Sequence, residues 1–295
     1  MSERVLVVPG VYEERRLGST SPRERLLLEL PHGATRTADY RSLEARLNGP
    51  FPADLIHFFY VNTDVGSPEL AWAIAERWVA AAPEREAIWI RSLIPRTFVD
   101  CNRRIDAAAQ GTLTAGLAPY VHDPADQALL RELHAAYVSA IERLYAEVCG
   151  SGGYGLAVHT YAPRSVDVQV SDRIVADLHA AWEPGGEGRW PLRPEVDLIT
   201  RTPEGERVAP AALISRLEEG FRAIGVPLDE GTTYPMHPAT QAWRFANRYP
   251  EQVLCFEVRR DLLATSWSPF EEMPISAAKV APLAVVFAAA LERGD

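Results

Sequence analysis

Apolar residues along this chain fall into two rhythms. Short continuous runs bounded by glycine, proline or charged clusters read as buried strands, and longer stretches with apolar residues three and four apart read as amphipathic helices. The first run, residues 5–8, is a short strand, and the charged stretch 10–24 after it reads as turn and loop. A second run over 25–30 ends in Pro31-His32-Gly33. Proline cannot donate to a ladder and glycine permits an unusual backbone turn, so the strand is expected to stop there with His32 on a stiff corner. Residues 39–47 are weakly helical. The aromatic-rich run 53–61 reads as another strand, closing at Asn62-Thr63-Asp64-Val65-Gly66. Ser67 and Pro68 then suit the N-cap and first turn of a helix over 69–82.

Further strands are expected at 87–91, 154–159, 196–200 and 253–260. The stretch 125–149 carries Leu129, Leu130, Leu133, Tyr137, Ile141 and Leu144 at helical spacing, and shorter helices are expected at 174–182, 210–224 and 276–291. Gly150-Ser151-Gly152-Gly153 lacks the lysine and spacing of a phosphate loop and reads as a connection, while 184–188 suits a surface excursion. Strands alternating with helices predict an α/β fold in three layers, a mixed, mostly parallel sheet of about seven or eight strands with helices on both faces. No linker stands out, so residues 1–295 are expected to form one domain, with 164–194 as a possible insertion.

Composition narrows the function more than the fold. Thirty Lys and Arg against 40 Asp and Glu leave a net charge of -10, which argues against a nucleic-acid or anionic-membrane partner and leaves a small molecule or peptide. Cys101, Cys149 and Cys255 are odd in number and widely spaced, so neither a disulfide framework nor a cysteine zinc cluster is expected, and a reducing cytoplasm fits. No leader-like or membrane-spanning apolar stretch is expected either.

The candidate chemistry gathers where elements end. His32, Asp64 and His159 each close an apolar run, and each alone could be an ordinary loop residue or helix cap. Glu257 is flanked on both sides by apolar residues, a setting that is costly unless the carboxylate is paired, exposed or used with a raised pKa. Arg96, Asp100, Asn102 and Arg103 form a polar knot in which the arginines offer planar donors to a carboxylate or oxyanion, or simply pair with Asp100. Tyr234 lies in a proline-bounded loop that could cover a pocket and contact substrate, and His122 and His134 read as ordinary helix-end and helix-surface residues. Two histidines, an aspartate and a glutamate make the inventory of a catalytic zinc site, with three ligands, an open fourth position and a proton carrier.

The ordered set Pro31-His32-Gly33, Asp64-Val65-Gly66, Phe98-Val99-Asp100-Cys101-Asn102-Arg103, His159-Thr160 and Phe256-Glu257-Val258-Arg259 resembles the N-formylglutamate amidohydrolase family. Its wider relatives are the zinc carboxypeptidases: His159-Thr160-Tyr161 is similar to their third-ligand segment and Phe256-Glu257-Val258-Arg259 to their general-base strand. The resemblance implies a zinc-carboxypeptidase-like fold and one zinc ion per chain on His32 and His159. It also implies Glu257 as general base, Asn102 and Arg103 gripping a substrate carboxylate, and Arg96 polarising the scissile carbonyl. Carboxypeptidases carry a glutamate three residues after the first histidine. Here that place is Thr35, which moves the acidic ligand to Asp64. The family's aspartate two residues before the second histidine is Ala157. The implied activity is zinc-dependent hydrolysis of an amide C–N bond in an N-acyl or N-formyl amino acid or a modified peptide. A metallocarboxypeptidase-like peptide-processing enzyme and an inactive carboxylate-binding homologue are the alternatives.

Overall fold

The computed structural model describes residues 2–107, 113–183 and 187–292. The run Leu26-Leu27-Leu28 is wholly buried because its strand is covered on both sides: side chains alternate across a sheet, and here both faces carry helices. Among the described residues the sheet has eight strands: β1 (Ser2–Val8), β2 (Tyr12–Gly18), β3 (Glu24–Leu30), β4 (Arg85–Ser92), β5 (Tyr154–Tyr161), β6 (Val196–Ile199), β7 (Leu228–Glu230) and β8 (Val253–Arg259). Their order is β1-β2-β4-β3-β5-β8-β6-β7. The four central strands β4, β3, β5 and β8 run parallel, β1, β2 and β4 pair antiparallel at one side, and β6 pairs antiparallel with β8 at the other. This is the expected mixed, mostly parallel three-layer α/β architecture.

The helices are α1 (Thr37–Glu44), α2 (Ile56–Asn62), α3 (Ser67–Ala80), α4 (Pro124–Val148), α5 (Ile174–Ala181), α6 (Ala211–Ala223), α7 (Gln241–Arg248) and α8 (Ala277–Ala290). Leu26, Leu28, Leu156, Val158, Leu254 and Phe256 face a core built with α3, α6 and α8. Leu27, Ala157, Val253 and Cys255 face the opposite core, built with α1, α2, α4, α5 and α7. His159 and Glu257 share the parity of that second set, so both stand on the α4 side of the sheet. After β3 the chain continues to β4 on one side, and β5 lies on the other. The carboxyl ends of β3 and β5 therefore flank a topological switch point, where open α/β sheets form their crevices.

Three expectations are corrected. The run 53–61 is not a strand: it contains α2, with Phe58 and Phe59 packed into the core, because a short apolar run fits either period and here Leu55 and Phe59 stack one turn apart. The carbonyls at its end are capped by the buried guanidinium of Arg260, whose Nη1 donates to Val61 at 2.8 Å and whose Nη2 donates to Thr63. The charged stretch 10–24 contains β2, since its charges pair laterally: Arg91 donates to Glu13 at 3.0 Å, Arg143 to Glu14 at 2.7 Å and Arg16 to Glu147 at 2.6 Å. His134 is buried on α4, with Nε2 2.9 Å from the Arg103 carbonyl, and is not a surface residue. The short elements β7 and α7 had no periodic signal. Of the excursion expected at 184–188, residues 184–186 lie outside the described residues. No described helix is long and apolar enough to cross a membrane.

Candidate metal centre

Pro31 ends β3 as expected, but Gly33 serves a different purpose from the one its type suggests. It is not among the positive-φ glycines; a Cβ there would sit 2.5 Å from Cβ of Arg91, so glycine is required for close approach of the corner to β4. The corner is tied to the loop after α2 by Thr63, whose hydroxyl donates to the Ala34 carbonyl at 2.6 Å. That loop is tied in turn to β5 by Thr160, whose hydroxyl donates to Val65 at 2.8 Å. Gly66 closes it with a left-handed backbone (φ 86°) and opens α3. Three separate segments are thus fixed to one another by backbone-directed hydroxyls beside the residues they present.

Those residues meet. Nδ1 of His159 lies 2.9 Å and Nδ1 of His32 3.2 Å from Oδ2 of Asp64, and the two Nδ1 atoms are 3.3 Å apart. All three side chains are buried, and their donor atoms form a cluster of metal-binding type. Donors held at about 2.1 Å by a tetrahedral ion stand about 3.4 Å apart, so this spacing fits a zinc-sized cation with little rearrangement. Asp64 also has the right electronic character. Burial alone would raise its pKa, but His32 and His159 hold it well below the ordinary carboxylate range, as an anion.

Asp100 is the carboxylate that orients the set. Its Oδ1 is 2.7 Å from Nε2 of His32 and accepts the Asn102 amide at 2.9 Å, while its Oδ2 accepts from Nε of Arg96 at 3.0 Å and lies 3.9 Å from Nε of Arg103. Burial pushes its pKa up, and Arg96, His32 and Arg103 together bring it well below the usual value. For His32, burial and Arg96 favour the neutral ring, yet Asp100 and Asp64 raise its pKa above the ordinary histidine value. With Nε2 bound to Asp100, Nδ1 of His32 is directed at the cluster. Among the described residues Nε2 of His159 meets no carboxylate; the Asn102 amide nitrogen is 3.5 Å from it, fixed by the Ala242 N–H donating to Asn102 Oδ1 at 3.2 Å.

The cluster floors a cavity of about 250 Å³. Glu257 lines it, on the rung directly beside His159 in the β5–β8 register. Since β8 is central, Glu257 is not the outward residue of an edge strand. Its Oε2 is buried with no hydrogen-bond partner among the described residues, and its pKa is pushed up to about 7, first by burial and then by Asp64, against the pull of His159, Arg193 and Arg96. Arg96, Asn102, Arg103 and Tyr234 line the same cavity, so the structure brings all of the expected site residues except Asp64 to its wall and sets Asp64 just beneath. The sequence reading missed Arg193, which donates to the Tyr234 hydroxyl at 2.8 Å, and the partnership of Asp100 with His32. The polar knot was visible, but arginines on either side of Asp100 in sequence disguised its histidine partner.

No protein-family model matches the chain, and no curated protein matches it in sequence. Among solved structures it is similar to an N-formylglutamate amidohydrolase from Ralstonia eutropha, at TM-score 0.54 and 15% identity over 94% of this chain and 95% of that one. A gene product of Agrobacterium tumefaciens matches at TM-score 0.52 and 14% identity over 92% of this chain and 90% of its own. At these identities the likeness is one of fold. A metallo-carboxypeptidase from Burkholderia cenocepacia matches less closely, at TM-score 0.39 and 9% identity, with 94% of this chain covering 59% of that one.

Proposed function

We propose that this chain is a zinc-dependent hydrolase that cleaves the amide C–N bond of an N-acyl amino acid or of a modified peptide end. The observation that carries the reading is the buried His32, Asp64 and His159 cluster opening into a cavity that also holds Glu257, whose Oε2 has no hydrogen-bond partner among the described residues. The fold shared with an N-formylglutamate amidohydrolase supports it.

His32, Asp64 and His159 would hold the ion. When bound, a zinc ion supplies Lewis acidity, lowering the pKa of a water and polarising an amide carbonyl. Glu257, with a pKa near neutrality, is suited to take a proton from the attacking water and return it to the departing amine nitrogen. Arg96, its Nε committed to Asp100, keeps its other N–H groups at a fixed angle for the developing oxyanion. Arg103 and Asn102 are the proposed grip on the substrate carboxylate, with Tyr234, held by Arg193, beside them on the lining.

The test joins metal content to turnover. Purified protein should carry about one zinc per chain, release free amine from a panel of N-formyl and N-acetyl amino acids and short peptides, and stop after chelation. Glu257→Gln should retain the metal and substrate affinity while kcat falls roughly a hundredfold or more. Absence of stoichiometric metal together with turnover that survives chelation overturns the proposal. Retained affinity with no turnover in the native protein would mark a carboxylate-binding homologue instead.

A further inference from the structure

The segment between β5 and β6, which has no counterpart in the resemblance drawn from sequence, builds one wall of the cavity. Its neck is closed where the Ser165 amide donates to Pro191 at 3.0 Å and the Arg193 amide to Pro163 at 2.9 Å. Beyond the neck runs Val166-Asp167-Val168-Gln169-Val170, without regular secondary structure but with a period of two. The three valines are half-buried and line the cavity, while Asp167 and Gln169 are exposed. The chain then enters α5, whose Ile174 and Leu178, one turn apart, face the same space with Trp182. Phe58 and Val61 of α2 stand on the wall as well, and α5 is held to α2 by His179, 3.0 Å from His57. The cavity therefore has two ends of opposite character: the cluster with Arg96, Arg103 and Arg193, and an arm of aliphatic side chains.

We infer that this arm receives a bulky apolar group of the substrate, a medium-length acyl chain or a hydrophobic amino-acid side chain, and that Val166, Val168 and Val170 set this preference. The inference rests on the proposed hydrolase reading. A small formyl group or an acidic side chain would leave the arm wet and its valines exposed to water, whereas an apolar group removes both surfaces from solvent. The arginines at the other end supply the charge complement for a carboxylate on the same molecule. A substrate that is anionic at one end and apolar at the other matches both ends of the cavity at once.

Calorimetric titration of the metal-loaded Glu257→Gln protein tests this, with N-acetylglycine as reference, N-octanoylglycine and N-acetylphenylalanine as apolar probes, and N-formylglutamate as the acidic one. Each buried methylene strengthens binding about three- to fourfold, so even partial burial should make at least one apolar probe bind roughly thirtyfold tighter than the reference. A gain for N-octanoylglycine alone assigns the arm to the acyl group, and a gain for N-acetylphenylalanine alone assigns it to the side chain. Val168→Asn and, independently, Leu178→Ala should erase about tenfold of that gain while leaving N-acetylglycine binding unchanged. Equal or tighter binding of N-formylglutamate, or variants that weaken all four ligands alike, overturns the inference. If the protein lacks metal and cleaves nothing, the hydrolase reading falls, while the difference between apolar and acidic ligands is still read from binding.

Discussion

Replacing Asp100 by asparagine separates two things that one carboxylate does. Oδ1 orients His32 and is pinned by the Asn102 amide at 2.9 Å, so an asparagine there keeps its carbonyl oxygen facing the ring and the tautomer is preserved. What disappears is the negative charge behind the imidazole and opposite Arg96. A carboxylate hydrogen-bonded to a ligating histidine raises its basicity, and losing such a partner costs about ten- to a hundredfold in metal affinity, or roughly 1.4–2.7 kcal/mol. The same change turns the amide NH2 toward Nε of Arg96, donor against donor, and leaves Arg96 and Arg103 without their counter-charge. Asp100→Ala, which also removes the acceptor, should cost stability of about 3–5 kcal/mol, and Asp100→Asn clearly less. Zinc affinity measured by competition with a chromophoric chelator, alongside urea unfolding of the metal-free protein, reads the two effects separately. If Asp100→Asn lowers stability yet binds zinc within twofold of the native chain, Asp100 is a structural counter-ion for the arginines and the assigned role in orienting His32 is wrong.

Three further outcomes are expected. Gly33→Ala should destabilise by about 1–3 kcal/mol and weaken zinc binding, because the new methyl meets Cβ of Arg91 at 2.5 Å and the Leu30 carbonyl at 3.1 Å; unchanged unfolding midpoints would show that the corner yields freely. In the metal-free protein Glu257 holds its proton to about pH 7, against an ordinary 4.5, so the folded chain binds more protons across that window. Stability should therefore fall with rising pH by at most about 3 kcal/mol from this group, a slope that Glu257→Gln abolishes and that identical slopes in denaturant titrations would contradict. Zinc at a hundred times its dissociation constant should raise stability by about 2.7 kcal/mol in the native chain and not at all in His159→Ala, with thermal shift as the measure; an equal shift in both would place the ion elsewhere.

Much of the site was legible because its residues close apolar runs at one edge of a sheet. Asp64 illustrates how robust that signal is: the run before it reads as a strand and is helix α2, yet either element ends near Asn62 and delivers the aspartate to the same crevice. The central strands β3, β5 and β8 were visible as continuous apolar runs, the mark of burial on both faces. Strand β2 was hidden because its charges are neutralised by residues distant in sequence, Glu147 on α4 and Arg91 on β4, which no local pattern reveals. Asp100 was seen, but its histidine partner is 68 positions away while two arginines lie close by. Gly33 was singled out for the wrong physical reason, since closeness to a neighbouring strand leaves no trace in local sequence.

Arg260 reaches back 200 positions to seize the carbonyls that close α2, immediately before Asp64. The turn carrying this aspartate is therefore fastened from three distant places: to Ala34 after β3 through Thr63, to β5 through Thr160, and to the end of β8 through Arg260. Its position is over-determined, so the acid keeps its place between the two histidines by agreement among segments far apart along the chain rather than by any single tether.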